Sequence, residues 1–137
     1  YKALDSAGID KPDAIVIATR YGMLEAGEKI LRHLCEEGED GISPTLFMQS
    51  THNTIAGMLA IRLGCHGYNI TYSHGEDSLQ WAIRDANRLI SEGKAKTVLV
   101  GVHDYFPEGF REIMGIAGMK IPFDLYSKSM VIMKNGD

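Results

Sequence analysis

GYNITYSHGEDSLQWAIRDANRLISEGKAKTVLVGVHD, residues 67–104, runs from a β-forming stretch through a polar junction into a long helix, then into a second β-forming stretch. Tyr68 to Tyr72 is rich in aromatic and β-branched residues and is bounded by Gly67 and by Ser73-His74-Gly75, so it reads as a strand. From Glu76 to Ser91 the apolar residues Leu79, Trp81, Ala82, Ile83, Ala86, Leu89 and Ile90 recur at helical spacing and predict one buried stripe. Glu76 and Asp77 open that helix at the positive end of its dipole, and Gly93 closes it. TVLVGV, residues 97–102, is the most apolar run of the chain and predicts a strand buried on both faces.

The same alternation extends outward. AIVIAT, residues 14–19, predicts another doubly buried strand, and Met23 to Glu37 carries helical spacing that stops at Gly38. EDGISPTLFMQ, residues 39–49, contains Gly41 and Pro44 and reads as a loop, followed by a helix over Thr51 to Leu63 that ends at Gly64. After TVLVGV an irregular stretch containing Gly109, Gly115, Gly118 and Pro122 leads to a last strand, SMVIM, residues 129–133. Strands alternating with helices of this length predict an α/β layered fold on a mixed, mostly parallel sheet. No fixed-period repeat is present.

The chain has 137 residues, 45% of them hydrophobic and 23% charged, which fits one folded domain rather than a disordered segment. A net charge of −4 with no dense Lys/Arg block argues against a nucleic-acid surface, because phosphate binding needs clustered cations. Cys35 and Cys65 have no CxxC spacing, so neither a zinc site nor a disulfide framework is expected. No apolar run approaches the ~20 residues of a membrane span and the N-terminus lacks a signal-peptide layout, so a cytoplasmic location without a membrane span is expected. A start at Tyr1 rather than Met predicts that residues 1–137 are an incomplete domain.

One place has chemical potential, the junction from Tyr72 to Ser78. Helix-terminal N–H groups at a strand-to-helix elbow stabilise anions, which is why reactive groups are often found there. No thiol is present, and Ser73 and His74, as strand neighbours, point to opposite faces and make a poor nucleophile–base pair. Glu76 and Asp77 also have a purely structural explanation as complements to the dipole. His33 and His66 read as surface groups. His52 lies among Ser50, Thr51 and Asn53, where helix capping would account for the cluster. His103-Asp104 follows TVLVGV at the strand end where α/β sites form, and a turn there is the simpler expectation. Nothing in the spacing of His52, His74 and His103 demands a metal, and no cofactor is called for.

Gly67-Tyr68-Asn69, the elbow, Arg88-Leu89-Ile90-Ser91-Glu92-Gly93 and Leu99-Val100-Gly101-Val102-His103-Asp104 form an ordered series that resembles the nucleophile region of β-ketoacyl synthases. Upstream, Ser43-Pro44, Asn53, Ala56-Gly57 and Ala60-Ile61-Arg62-Leu63-Gly64 resemble the same family. Downstream, Met130 to Gly136 resembles its late strand, although Ser127-Lys128-Ser129 departs from the usual small residues. The resemblance implies the N-terminal half of a thiolase-like fold with its first strand absent. It also places the family's nucleophilic cysteine at Glu76. Because a carboxylate lacks a thiolate's nucleophilicity and would give an anhydride, condensation by the usual route is not expected.

Cysteine-less members of the family act as chain-length factors beside an active ketosynthase, and Ser50-Thr51-His52-Asn53 resembles a segment of the short forms. Those members usually carry Gln at the lost cysteine, so Glu76 is a second departure. The resemblance implies a homo- or heterodimer with a ketosynthase subunit, formed through the strand at Tyr68 to Tyr72, and an acyl carrier protein as a further partner, in fatty acid or polyketide-type biosynthesis. The alternative is a divergent acyltransferase or decarboxylase in which Glu76 acts with His52 or His103. A third reading is a fold retained without a function of its own.

Overall fold

The computed structural model describes residues 2–120 and 125–134. In chain order its elements are α1 (Lys2–Ala7), β1 (Ala14–Ala18), α2 (Leu24–Glu37), α3 (Pro44–Gln49), α4 (Thr54–Leu63), β2 (Asn69–Tyr72), a 3₁₀ turn (Gly75–Asp77), α5 (Ser78–Ser91), β3 (Thr97–Tyr105), α6 (Glu108–Ile116) and β4 (Leu125–Met133). The strands form one sheet in the order β2-β1-β3-β4. β1 runs parallel to both neighbours, with Ile17 opposite Thr71 on one side and Gly101 on the other, while β3 and β4 are antiparallel with His103 opposite Ser127. The expected mixed, mostly parallel α/β sheet is therefore the observed one.

β1 is buried at every position because both faces of the sheet are covered. On one face Ala14, Val16 and Ala18 join Val98, Val100 and Val102 against Ala82, Ala86 and Leu89 of α5. The two alanines let the helix backbone approach the sheet closely. On the other face Ile15, Ile17 and Leu99 pack with Leu4 of α1, Ala56 of α4 and Cys65. The G-x-N series has a mechanical explanation here. A Cβ on Gly67 would drive into the backbone carbonyl of Asp13, and the side-chain amide of Asn69 donates to the Ala56 carbonyl (2.9 Å), tying β2 to α4.

The structure departs from the sequence expectation in several places. Residues 44–49 form a helix, not a loop, because Ser43 caps it through its hydroxyl (Leu46 N–H, 3.4 Å) and Pro44 sits in the first turn, where its missing N–H costs nothing. The stretch after β3 contains α6 in spite of Gly109 and Gly115. Gly109 faces the carboxylate end of the Glu28 side chain, which would have to shift for any larger residue there. Pro122 lies outside the described residues. α1 is an additional helix. Trp81, expected in the buried stripe, is 41% exposed, with Arg84 stacked on its ring at 4.7 Å. β3 runs on to Tyr105, so His103 and Asp104 are strand residues and not the expected turn, because antiparallel pairing with Ser127 and Tyr126 continues the ladder.

Candidate functional site

The elbow between β2 and α5 is a tight construction. Gly75 takes a positive φ of 57°, a conformation that costs a glycine little, and Glu76 and Asp77 complete the 3₁₀ turn before α5 begins. Ser78, 1% exposed, is the hub. Its hydroxyl accepts the His74 N–H (2.8 Å) and shares its one proton between the carbonyls of Gly75 (2.7 Å) and Thr19 (3.1 Å). The second of those bonds reaches across to the end of β1. The His74 ring lies between Tyr72 (6.2 Å) and Trp81 (5.7 Å).

Glu76, where the resemblance implies the nucleophile, points outward with its side chain 89% exposed and meets the Arg20 guanidinium at 3.4 Å. An ion pair this open contributes about 0–1 kcal/mol. Arg20 belongs to the turn that follows β1, and a buried carboxylate holds that turn. Asp104 Oδ1 accepts the Thr19 hydroxyl (2.7 Å), the Arg20 N–H (2.8 Å) and the Tyr21 N–H (3.1 Å). The Thr19 hydroxyl in turn accepts the Gly22 N–H (2.8 Å).

His52 and His103 gather around the same turn. The His52 ring packs against Gly22, where ring atoms stand 3.0 Å from the place a Cβ would occupy. His103 lines a cavity of about 400 Å³ with Met23, Ile55, Met58 and Leu59, floored by Ile17 and Gly101, and a second of about 290 Å³ with Gly22, Met23 and Leu125. The capping expected around His52 is local: the Thr51 hydroxyl bonds Asn53 Oδ1 (2.8 Å) and the Met48 carbonyl (3.0 Å), and Asn53 makes no side-chain cap to α4. Of these three residues, His52 packs on Gly22 and His103 lines cavities with Gly22 and Met23, while Glu76 meets Arg20 of the same turn.

Elsewhere, His33 is not simply solvated, since its Nε2 meets the Asp40 carbonyl at 2.7 Å. Cys35 is exposed on α2, and Cys65 is buried beneath α4. Beside β2, Asp85 of α5 is 6% exposed and takes two N–H groups of Arg88 on Oδ1 (2.7 and 3.1 Å). Its Oδ2 accepts no hydrogen bond among the described residues. Burial first, and then the nearby Asp85 carboxylate, push the Tyr68 and Tyr72 phenols above the usual tyrosine value. Among the described residues no three His, Cys, Asp or Glu side chains are arranged to hold a metal, and no helix is long and apolar enough to cross a membrane.

Sequence reasoning singled out Glu76, His52 and His103 but missed Arg20, Thr19 and Ser78. The available signal was polar residues at strand C-terminal ends and at a helix start beside a glycine elbow.

Residues 2–125 match the family model described as β-ketoacyl synthase, N-terminal domain. A search of curated proteins finds no match. Among solved structures, the chain is similar to one in the complex of the ketosynthase ApeO with its chain length factor ApeC from Xenorhabdus doucetiae, with 27% identity, a TM-score of 0.78, and coverage of 97% of this chain and 54% of that one. It shares the fold of the ishigamide ketosynthase/chain length factor (22% identity, TM-score 0.76, 89% of this chain and 36% of that one). It also shares that of AntDE:AntF, a type II acyl-carrier protein in complex with its ketosynthase (18%, 0.75, 90% and 39%). The chain spans about half or less of the length of these structures.

Proposed function

The chain belongs to the β-ketoacyl synthase family through that family's N-terminal domain, and from this premise we propose that it serves as a non-condensing, chain-length-factor-like partner of an active ketosynthase in fatty acid or polyketide-type biosynthesis. The observation that carries the reading is Glu76. The elbow around it is fully built, with Gly75, Ser78 and the start of a 14-residue helix in place, while the group at the nucleophile position is an exposed carboxylate paired with Arg20. Such a carboxylate does not form a thioester, and the chain's two thiols lie on α2 and beneath α4, away from the elbow.

The edge of the sheet supports a partner role. Among the described residues β2 pairs only with β1, so its outer edge leaves backbone groups open to a second subunit. The partner in this reading is a cysteine-bearing ketosynthase, the assembly a heterodimer, and the substrate an acyl chain delivered by an acyl carrier protein. Co-expression tests it: the chain is expected to co-purify with a cysteine-bearing ketosynthase as a defined heterodimer. A chain that remains unbound at micromolar concentrations of both proteins defeats the proposal.

Proton transfer or decarboxylation by Glu76 with a histidine draws less on the geometry, since His52 and His103 pack around Gly22-Met23 and the Glu76 carboxylate meets Arg20. That reading requires a turnover that Glu76→Gln abolishes with the fold intact.

A further inference from the structure

Asp104 is completely buried, and a buried carboxylate is costly unless it is paired or hydrogen-bonded. All of its bonding is on one oxygen. Oδ1 accepts the hydroxyl of Thr19 and the N–H groups of Arg20 and Tyr21, while Oδ2 accepts none among the described residues. Asp104 therefore does not act as a general solvent for polar groups. It grips three consecutive residues at the point where β1 ends.

That grip continues into the elbow without a break. Thr19, 1% exposed, gives its hydroxyl proton to Asp104 and its carbonyl to Ser78, and Ser78 holds the backbone of His74 and Gly75. The same turn carries Arg20, whose guanidinium meets Glu76. From these contacts we infer that Asp104 is the positioning residue of the elbow. It acts through Thr19 and Ser78 on the 74–78 backbone, and through the Arg20 backbone on the charge facing residue 76. The ends of β3 and β1 and the start of α5 are thereby joined in one buried polar spine, separate from the two apolar clusters that hold the sheet between its helices.

The assignment stands on the geometry alone, whether or not the chain partners a ketosynthase. Its consequence is that the shape of the elbow is set by hydrogen bonds to a buried side-chain acceptor and not by the packing of β2 against α5 alone. Loss of the spine should loosen residues 74–78 and leave the sheet intact.

Amide hydrogen exchange on the full chain separates the two roles. In Thr19→Val, which keeps the shape and deletes the hydroxyl, protection at the His74 amide and at Tyr21 and Gly22 is expected to fall about tenfold relative to the β1–β3 ladder amides, the size of one lost hydrogen bond. Asp104→Ala should produce the same local pattern. Thr19→Ser should restore the protection, and Asp104→Asn, which retains an acceptor at Oδ1, should restore most of it. A merely structural role predicts a uniform loss of protection across the sheet, and that result overturns the inference. So does an unchanged His74 in Thr19→Val. If Asp104→Ala fails to fold, the Thr19→Val and Thr19→Ser pair decides the question by itself.

Discussion

Single residues account for more of this fold than their size suggests. Gly67 is required because the Asp13 carbonyl occupies the space a methyl group would need. Gly67→Ala should destabilise the chain by about 1–3 kcal/mol, the usual range for forced overpacking, seen as a lower urea midpoint. An unchanged midpoint would show that the Asp13 strand end yields. Asp13 also works through its carboxylate. Oδ2 accepts the N–H groups of Lys96 (2.8 Å) and Thr97 (3.0 Å) and the Thr97 hydroxyl (3.1 Å), closing the gap between the start of β1 and the start of β3. These bonds, the Lys96 amide foremost, hold its carboxyl below the ordinary 3.8. A folded value below the unfolded one means the stabilisation is complete above the ordinary value and is lost as pH falls through the depressed one. Acid unfolding of Asp13→Asn, measured by circular dichroism below pH 4, should lack that component; identical acid profiles would remove the claim. At the candidate site, Glu76 was legible as the odd residue in a familiar series, whereas Thr19 and Ser78 were not, since a threonine ending a strand and a serine opening a helix look ordinary until their partners are known.

At the scale of elements, strands and long helices followed directly from periodicity. β1, β3, α2, α4 and α5 lie within a few residues of their expected bounds because each is governed by local burial. The helices α3 and α6 were hidden by glycine and proline, which mark loops in general but here occupy a first turn and a contact with the Glu28 side chain. The β2 edge is the surface a second subunit would extend. Ile15 N–H donates to the Tyr68 carbonyl and Thr19 N–H to the Tyr72 carbonyl, so by the alternation of a parallel ladder Thr71 directs its own N–H outward. Thr71→Pro removes that outward donor and leaves the β1 bonds in place. Binding to a ketosynthase partner is expected to weaken about tenfold or more, by calorimetric titration, with the far-ultraviolet spectrum unchanged. Undiminished binding would place the interface elsewhere.

At the scale of the whole molecule, the central strands β1 and β3 are buried while large apolar side chains remain outside on the helices. Leu31, Ile113 and Ile116 stand exposed on α2 and α6, and Phe47, Met48 and Ile61 on α3 and α4. Surfaces of this kind are covered in an assembly or drive association. The chain alone should therefore show a mass that rises with concentration in light scattering, and Ile113→Glu with Ile116→Lys should reduce the rise. A concentration-independent monomer mass would contradict this. By itself, the sequence determined the α/β alternation, the family, and the carboxylate standing where a nucleophile is expected, because helical and strand periodicity and short ordered motifs are properties of neighbouring residues. Tertiary structure alone decided the strand order, the extension of β3 through His103 and Asp104, and the spine that holds the elbow. The Thr19–Asp104 bond spans 85 positions of the chain and the Ser78–Thr19 bond 59. No local pattern encodes a contact at that separation; it exists only once β1 has been laid between β2 and β3, bringing the three strand ends to the same edge.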